Sequence, residues 1–172
     1  MLFFPGTNLG EHFMAIQTSV LTVGDKYIAG TVHDEAADIL ESTCRKMGWE
    51  MVHRDKLSGD PEALAGILLQ LADSGKVDVI FTVDGIGLQA TDRVPEAMHH
   101  VCEKWIPGLA EMIRNRAFEK SPGVAVTNGM SGLRGKTLII NLPGTPAAVK
   151  DAFDILRPVL RHAVDQIKAA TA

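Results

Sequence analysis

The sequence predicts an α/β fold with a mostly parallel sheet and helices on both of its faces. Short apolar, β-branched segments alternate with longer segments whose apolar residues recur at helical spacing. The segment VDVIFTV at 77–83 is apolar enough to be buried on both faces, as the strands of parallel sheets are. Two helices are expected to begin at a capping residue followed by proline, at Asp60-Pro61 and Thr145-Pro146.

The remaining elements follow from the same patterns along the chain. β-Branched and apolar composition predicts strands at 17–23, 49–57, 77–83, 124–127 and 137–142. Apolar residues at helical spacing predict helices from Asp34 to Gly48, after Asp60, over 95–104 and 107–118, and from Thr145 towards Ala169. Pro158 is expected to kink the last helix. Residues 14–172 are expected to form a single domain, preceded by a flexible extension at 1–13.

Composition excludes several classes of function. The chain has 172 residues, of which 46% are hydrophobic and 22% charged, as in ordinary globular proteins. Its net charge of -4 argues against non-specific nucleic-acid binding, and it contains no apolar run long enough to span a membrane. Cys44 and Cys102 have no partner at metal-ligand spacing and are expected to be buried free thiols. Free thiols fit a reducing compartment, so the prediction is a cytoplasmic protein.

The predicted topology selects three loops for ligand binding. Ligands of parallel sheets bind outside the carboxyl ends of the strands, which here are followed by residues 24–34, 84–92 and 143–145. The glycines of Asp84-Gly85-Ile86-Gly87 allow the backbone to approach an anion, although a plain tight turn would have the same pattern. The turn at Pro143-Gly144-Thr145 opens a helix whose free N–H groups favour a phosphate, although Thr145 could simply cap that helix.

Two aspartates are candidate metal ligands. Asp60 and Asp92 each follow a loop near the end of a strand, and two carboxylates in one cleft can hold Mg²⁺, which in turn holds nucleotide phosphates. Capping of the following helix would also explain each of them. From position alone, both interpretations stay open.

Longer segments resemble a known family. TVDGIGLQATDRVPEA is similar to its pattern T-T-G-G-T-G-L…R-D-V-T-P-E-A. GLRGKTLIINLPGTPAAVKDAF closely resembles G-I-R-G-x-T-L-I-x-N-L-P-G-x-P-x-A-V. With PGLAEMIR, LTVGDKYIAG and LSGDPEAL, the resemblance spans roughly residues 17 to 168. The family is that of the Mog/MoaB-type molybdopterin-binding proteins, which includes the molybdopterin adenylyltransferases and the N-terminal domain of gephyrin.

The resemblance implies both an activity and an assembly. Members of the adenylyltransferase branch use Mg-ATP to attach AMP to the terminal phosphate of molybdopterin and release pyrophosphate. The implied cofactor is Mg²⁺, the substrates are ATP and molybdopterin, and a molybdenum insertase takes the product. The implied assembly is a homotrimer, or a hexamer in one branch of the family. A flavodoxin-like flavin-binding module would share the strand–helix alternation, but it would leave the LPGTP turn without a role.

Site residues carry over from the resemblance position by position. Asp60 and Asp92 match the two catalytic acidic residues and are the expected Mg²⁺ ligands, with Asp84 as a third candidate. The residues expected to bind substrate or phosphate lie in the three loops and in the strands before them. They are Asp25, Gly30, Asp34, Thr82, Asp84, Gly85, Ile86, Gly87, Asn141, Pro143, Gly144 and Thr145.

The departures from the family pattern fall in the expected site. Asp84 replaces the first glycine of the loop, Ile86 and Val94 replace threonines, and Asn128 replaces an arginine. A carboxylate ~4 Å from a phosphate charge would cost about 4 kcal/mol at an effective dielectric constant of ~20, unless Mg²⁺ or a lysine lies between them. Three hypotheses follow: an adenylyltransferase with Asp84 as a metal ligand, a diverged pterin- or nucleotide-binding protein without catalysis, or a carrier subunit with an inactive site.

Overall fold

The computed structural model describes residues 14–170, which contain a six-stranded sheet with α-helices on both faces. The strand order is β2-β1-β3-β6-β5-β4. Neighbours from β2 to β6 run parallel, whereas β5 is antiparallel to β6 and β4 is antiparallel to β5. The prediction of a mostly parallel α/β fold is confirmed. The strands are β1 (Gln17–Val23), β2 (Glu50–Leu57), β3 (Val79–Val83), β4 (Lys104–Trp105), β5 (Ser131–Arg134) and β6 (Thr137–Leu142).

Side-chain caps begin three of the helices. Asp34, Asp60 and Thr145 accept hydrogen bonds from the N–H groups three residues further on, as capping residues do. The sequence predicted a helix start at each of these three residues. The helices are α1 (Asp25–Ile28), α2 (Glu35–Lys46), α3 (Pro61–Asp73), α4 (Val94–Val101), α5 (Pro107–Phe118) and α6 (Pro146–Ala169), with a 3₁₀ helix at Pro122–Val126.

The core consists of two apolar clusters, one on each face of the sheet. Alternate side chains of a strand point to opposite faces, so Val20 of β1 packs towards α2, α5 and α6, while Leu21 packs towards α3 and α4. β3 is buried along its whole length, as its apolar composition predicted. Because β1, β2 and β3 run parallel, the loops that follow them leave the same edge of the sheet.

The strand predicted at 124–127 is wrong. Pro122–Val126 forms a 3₁₀ helix, whose end is fixed by the Thr127 hydroxyl donating to the Val124 carbonyl at 2.8 Å. β-Branched composition favours a strand only where a neighbouring strand supplies hydrogen bonds, and Val126 is exposed here. The strand of this region is β5, which contains Gly132. A Cβ at Gly132 would lie 2.6 Å from the Cys102 sulfur, so glycine permits this close approach.

Other boundaries differ in smaller ways. The helix predicted over 95–104 ends at Val101, and Lys104–Trp105 pairs with β5 instead. The polar loop after β1 contains the short helix α1. α6 continues through Pro158 as one helix. The predicted extension at 1–13 lies outside the described residues, and no helix within 14–170 is long and apolar enough to cross a membrane.

Both cysteines pack against apolar neighbours. Cys44 is fully buried in the cluster under α2, and Cys102 packs against the cluster on the opposite face. Burial raises the pKa of the Cys44 thiol to about 12 and that of Cys102 to about 11. Both thiols are therefore protonated at neutral pH and are poor nucleophiles.

Candidate functional site

A cleft of about 810 Å³ lies at the carboxyl ends of β1, β2 and β3. Its walls are the loops that follow these three strands, which is where ligands of parallel sheets bind. The volume lies within the range of small-molecule sites. Its lining residues are Val23, Gly24, Asp25, Lys26, Ser58, Gly59, Asp60, Asp84, Gly85, Gly87, Gln89, Ala90, Thr91, Asp92 and Arg93.

The cleft brings together six of the residues that the sequence proposed. They are Asp25, Asp60, Asp84, Gly85, Gly87 and Asp92. The ionisable side chains of the lining are four aspartates and two cations, Lys26 and Arg93, which gives a formal charge of -2. A polyanion would be repelled by this lining unless a metal cation accompanied it.

Asp60 has a structural role that accounts for its position. Its Oδ2 accepts a hydrogen bond from the Ala63 N–H at 3.0 Å and so caps α3. A Cβ on the preceding residue, Gly59, would lie 2.8 Å from the Thr91 carbonyl oxygen. The absence of a side chain at Gly59 therefore lets the Asp60 loop pack directly against the loop that carries Asp92.

Asp92 closes a turn of its own loop. Its Oδ2 accepts a hydrogen bond from the Gln89 N–H at 2.9 Å. A Cβ at Gly87 would lie 2.6 Å from the same oxygen, so the Asp92 carboxylate can occupy this position only beside a glycine. The second glycine of the loop therefore has a packing role, which is separate from the backbone approach to an anion that the sequence suggested.

Asp84 has a left-handed backbone, with φ of 71°, a conformation that favours glycine. Its carboxylate makes three contacts: Oδ2 lies 2.6 Å from the Lys26 Nζ and accepts from the Tyr27 hydroxyl at 2.8 Å, and Oδ1 accepts from the Gly85 N–H at 2.9 Å. A Cβ at Gly144 would lie 2.7 Å from the Asp84 Cβ. The Pro143–Thr145 turn therefore packs closely against Asp84 and needs glycine to do so.

These contacts shift the pKa values of all three side chains. Burial opposes the charge on Asp84, but the hydrogen bonds from Lys26, Tyr27 and Gly85 outweigh it and hold its pKa below the ordinary value. The hydrogen bond to Asp84 raises the pKa of Lys26. Burial and the hydrogen bond to Asp84 raise the pKa of Tyr27 to about 12. Asp84 and Lys26 therefore form a charged pair at neutral pH, with a neutral tyrosine beside it.

Other proposed residues lie outside the cleft lining. Asp34 is buried, where it accepts from the Thr22 hydroxyl at 2.8 Å and lies 3.4 Å from the Arg54 guanidinium. The buried side chains of Thr82 and Asn141 bond to each other at 2.8 Å across β3 and β6. Ile86 lies in the apolar core and Gly30 on an exposed turn. Pro143, Gly144 and Thr145 lie at the start of α6, outside the lining.

Sequence reasoning missed five polar side chains of the lining: Lys26, Ser58, Gln89, Thr91 and Arg93. Each lies within two residues of a proposed position or between two of them. Lys26 could have been identified from its place in the first residues after β1, beside Asp25. Its pairing with Asp84, however, joins two loops that are distant in the chain, since the neighbouring Tyr27–Asp84 bond spans 57 residues.

The chain is similar to proteins of molybdenum cofactor biosynthesis. The molybdopterin adenylyltransferase of Helicobacter pylori is 26% identical over 154 residues, which cover 88% of each chain. Molybdenum cofactor biosynthesis protein B of Staphylococcus carnosus is 29% identical over 158 residues, covering 88% of this chain and 91% of that protein.

Solved structures agree over most of the chain. The molybdopterin biosynthesis enzyme MoaB of Thermus thermophilus superposes with a TM-score of 0.84 at 32% identity, covering 90% of this chain and 97% of that one. The Mog protein of Mycobacterium ulcerans superposes with a TM-score of 0.80 at 34% identity, covering 89% and 99%. The family model described as "Probable molybdopterin binding domain" matches residues 19–162. The chain therefore belongs to this molybdopterin-binding domain family of molybdenum cofactor biosynthesis.

Proposed function

We propose that the protein transfers AMP from Mg-ATP to the terminal phosphate of molybdopterin and releases pyrophosphate. The observation that carries the proposal is the convergence of Asp60, Asp92 and the glycine loop in one cleft at the carboxyl edge of the sheet. Relatives named molybdopterin adenylyltransferase, at 23–26% identity, support it. In this reaction a molybdopterin phosphate oxygen bonds to the α-phosphorus of ATP, while the bond to the departing pyrophosphate breaks.

The aspartates of the cleft fit a magnesium ion brought by the nucleotide. Within residues 14–170, no group of three or more histidine, cysteine or acidic side chains forms a metal cluster. Mg²⁺ is commonly held by one or two carboxylates together with substrate phosphates, and Asp60 and Asp92 can supply those carboxylates. In each of them Oδ2 accepts a backbone N–H, while no described residue donates to Oδ1. When bound, Mg²⁺ would offset the phosphate charge.

Asp84 does not fit the role of a metal ligand that the sequence suggested for it. Both of its oxygens already accept donors, and its Oδ2 lies against the Lys26 ammonium. A cation would have to displace that ammonium first. We therefore propose Asp60 and Asp92 as the metal ligands, without Asp84.

The backbone of the glycine loop and the start of α6 complete the proposed site. Gly85 has φ of 74°, and a Cβ there would lie 2.6 Å from the Val94 side chain, so this turn requires glycine. We propose that this loop holds the nucleotide phosphates and that Pro143, Gly144 and Thr145 lie on the pterin side. Holding both polyanions side by side would make their reaction effectively intramolecular. We also propose that the protein is a cytoplasmic homotrimer and that it delivers its product to a molybdenum insertase.

An adenylylation assay with an isosteric variant tests this function. Purified protein is mixed with molybdopterin and Mg-ATP, and adenylylated molybdopterin is separated by chromatography. In Asp92→Asn the amide oxygen can still accept the Gln89 N–H, so the turn is kept while a carboxylate is lost. We expect the rate to fall on the order of 10²-fold or more. Asp165→Asn, near the far end of α6, serves as the control and should keep the wild-type rate.

The alternative functions predict different results. If wild-type protein binds molybdopterin but forms no adenylylated product, it is a diverged binding protein and the proposed transfer is wrong. If product forms equally in Asp92→Asn, the transfer stands but Asp92 is not part of its machinery.

A further inference from the structure

Lys26 projects from the four-residue helix α1 into the cleft and is held there by two neighbours. Its Nζ lies 2.6 Å from the Asp84 Oδ2 and 4.8 Å from the centre of the Tyr27 ring. The Lys26 side chain is 49% exposed, whereas that of Asp84 is 24% exposed. The ammonium group is thus fixed on its protein side and open on its cleft side.

The local structure places this carboxylate at a cost. Asp84 holds a left-handed φ of 71°, which side chains rarely adopt, and its carboxylate lies where only glycine at 144 leaves room. A half-exposed ion pair contributes little to stability by itself. Stabilisation alone is therefore a weak account of an aspartate in this conformation beside a lysine of the cleft.

The donor count leaves Lys26 with capacity for a ligand. An ammonium group has three N–H donors, of which Asp84 accepts one and Tyr27 is close enough to accept a second, so at least one donor is left. Asp84 in turn has both oxygens occupied, by Lys26 and Tyr27 on one side and by the Gly85 N–H on the other. The remaining donor capacity faces the cleft and points to an acceptor that would enter with a ligand. Because the lining is net negative, Lys26 is one of only two cations in the described lining that could receive an anionic group.

We propose that Lys26 binds a phosphate group of the substrate in this cleft, and that Asp84 and Tyr27 are its positioning residues. This inference rests on the proposed function in taking the ligand of the cleft to be a phosphate-bearing substrate. The aspartate at the glycine position is then an adaptation of this chain. Aspartate at position 84 would by itself repel phosphate, but here it holds Lys26 in position to bind phosphate.

Binding measurements without turnover test the inference. Calorimetric titration with Mg-ATP alone, and separately with molybdopterin alone, identifies the substrate whose phosphate group Lys26 binds. We expect Lys26→Met to weaken the binding of one of them by about tenfold or more, as loss of a charge-assisted hydrogen bond does. Asp84→Asn should weaken the same ligand several-fold, and the double variant should be no weaker than Lys26→Met. Lys46→Met, at the opposite edge of the sheet, is the matched control.

Further readouts separate ligand binding from a structural role. The affinity of Lys26→Met should depend less on salt concentration than that of the wild type, because one charge contact is gone. Thermal midpoints of both single variants should stay close to that of the wild type, since exposed ion pairs contribute little. Lower midpoints with unchanged affinities would overturn the proposal, as would tighter binding in Asp84→Asn.

The outcomes also separate this inference from the proposed function. If no adenylylated product forms but Lys26→Met still weakens Mg-ATP or molybdopterin binding, the transfer reaction is wrong and the phosphate site stands. If the wild type transfers AMP but Lys26→Met binds both ligands as well as the wild type, the reaction stands and the Lys26 site is wrong. If the wild type binds neither ligand, both are wrong.

Discussion

Asp84 adds a fourth carboxylate to a cleft that Asp25, Asp60 and Asp92 also line. From the sequence alone, its carboxylate is expected to repel a phosphate charge ~4 Å away by about 4 kcal/mol at an effective dielectric constant of ~20. The structure shows that Lys26 lies 2.6 Å from this carboxylate and offsets its charge. Gly144 supplies the room, and aspartate is among the few side chains that tolerate a left-handed backbone. Asp84, Lys26 and Gly144 thus form one interdependent set.

Tyr27 provides a direct spectroscopic test of that set, because it is the only tyrosine of the chain. Its pKa of about 12 lies above the ordinary value, so the folded state favours the neutral hydroxyl. Its stabilising contribution is therefore complete below pH ~10, the unfolded pKa of tyrosine, and is lost as the pH rises towards 12. We expect tyrosinate absorbance to appear near pH 12, and at lower pH in Asp84→Asn.

Circular dichroism recorded in parallel shows whether the chain is still folded during this titration. Asp84→Asn removes a negative neighbour and an anionic acceptor but leaves burial in place, so the pKa of Tyr27 should fall only part of the way to 10. Tyrosinate that forms near pH 10 in folded wild-type protein would contradict the hydrogen bond between Tyr27 and Asp84.

At the scale of elements, the sequence predicted those features that depend on residues close together in the chain. Capping residues marked the starts of α3 and α6, and the apolar run at 77–83 marked the buried strand β3. β5 escaped prediction because Ser131–Arg134 carries a glycine that packing requires, and the β-branched run before it has no strand to pair with. The candidate cleft was placed by topology alone, whereas its cations depend on side-chain directions that the sequence does not specify.

Asp60 serves helix α3 and the proposed site at once, and two substitutions separate these roles. Asparagine also caps helices, so Asp60→Asn should retain most of the stability, while Asp60→Ala should lower the free energy of unfolding by about 1 kcal/mol. Both changes remove a proposed metal ligand and should slow adenylyl transfer. Urea denaturation and the adenylylation assay measure the two effects. Full transfer in Asp60→Asn would mean that Asp60 only caps α3.

At the scale of the whole molecule, the core and the cleft occupy different places. The two apolar clusters lie on the faces of the sheet, whereas the cleft is built from loops at its edge. Parallel strands deliver those loops to one edge regardless of the loop sequences. This separation lets Asp84 depart from the family pattern in a loop of the cleft, whereas two other departures, Ile86 and Val94, are apolar residues that belong to a core cluster.

Phe153 of α6 tests this separation, because it joins elements that are distant in the chain. It is 1% exposed and packs edge-to-face against Trp49 and Phe81, with ring centroids 5.8 and 5.9 Å away. Phe153→Ala should lower the free energy of unfolding by about 3–5 kcal/mol, and Phe153→Leu by less, because a smaller cavity remains.

We expect a single urea transition in which circular dichroism and tryptophan fluorescence coincide, since the cluster spans both ends of the chain. Substrate affinity of the folded variant should change by less than about twofold, because mutations at distant, independent sites act separately. Two separate transitions, or a large loss of affinity in folded Phe153→Leu, would show that the core and the cleft are not independent.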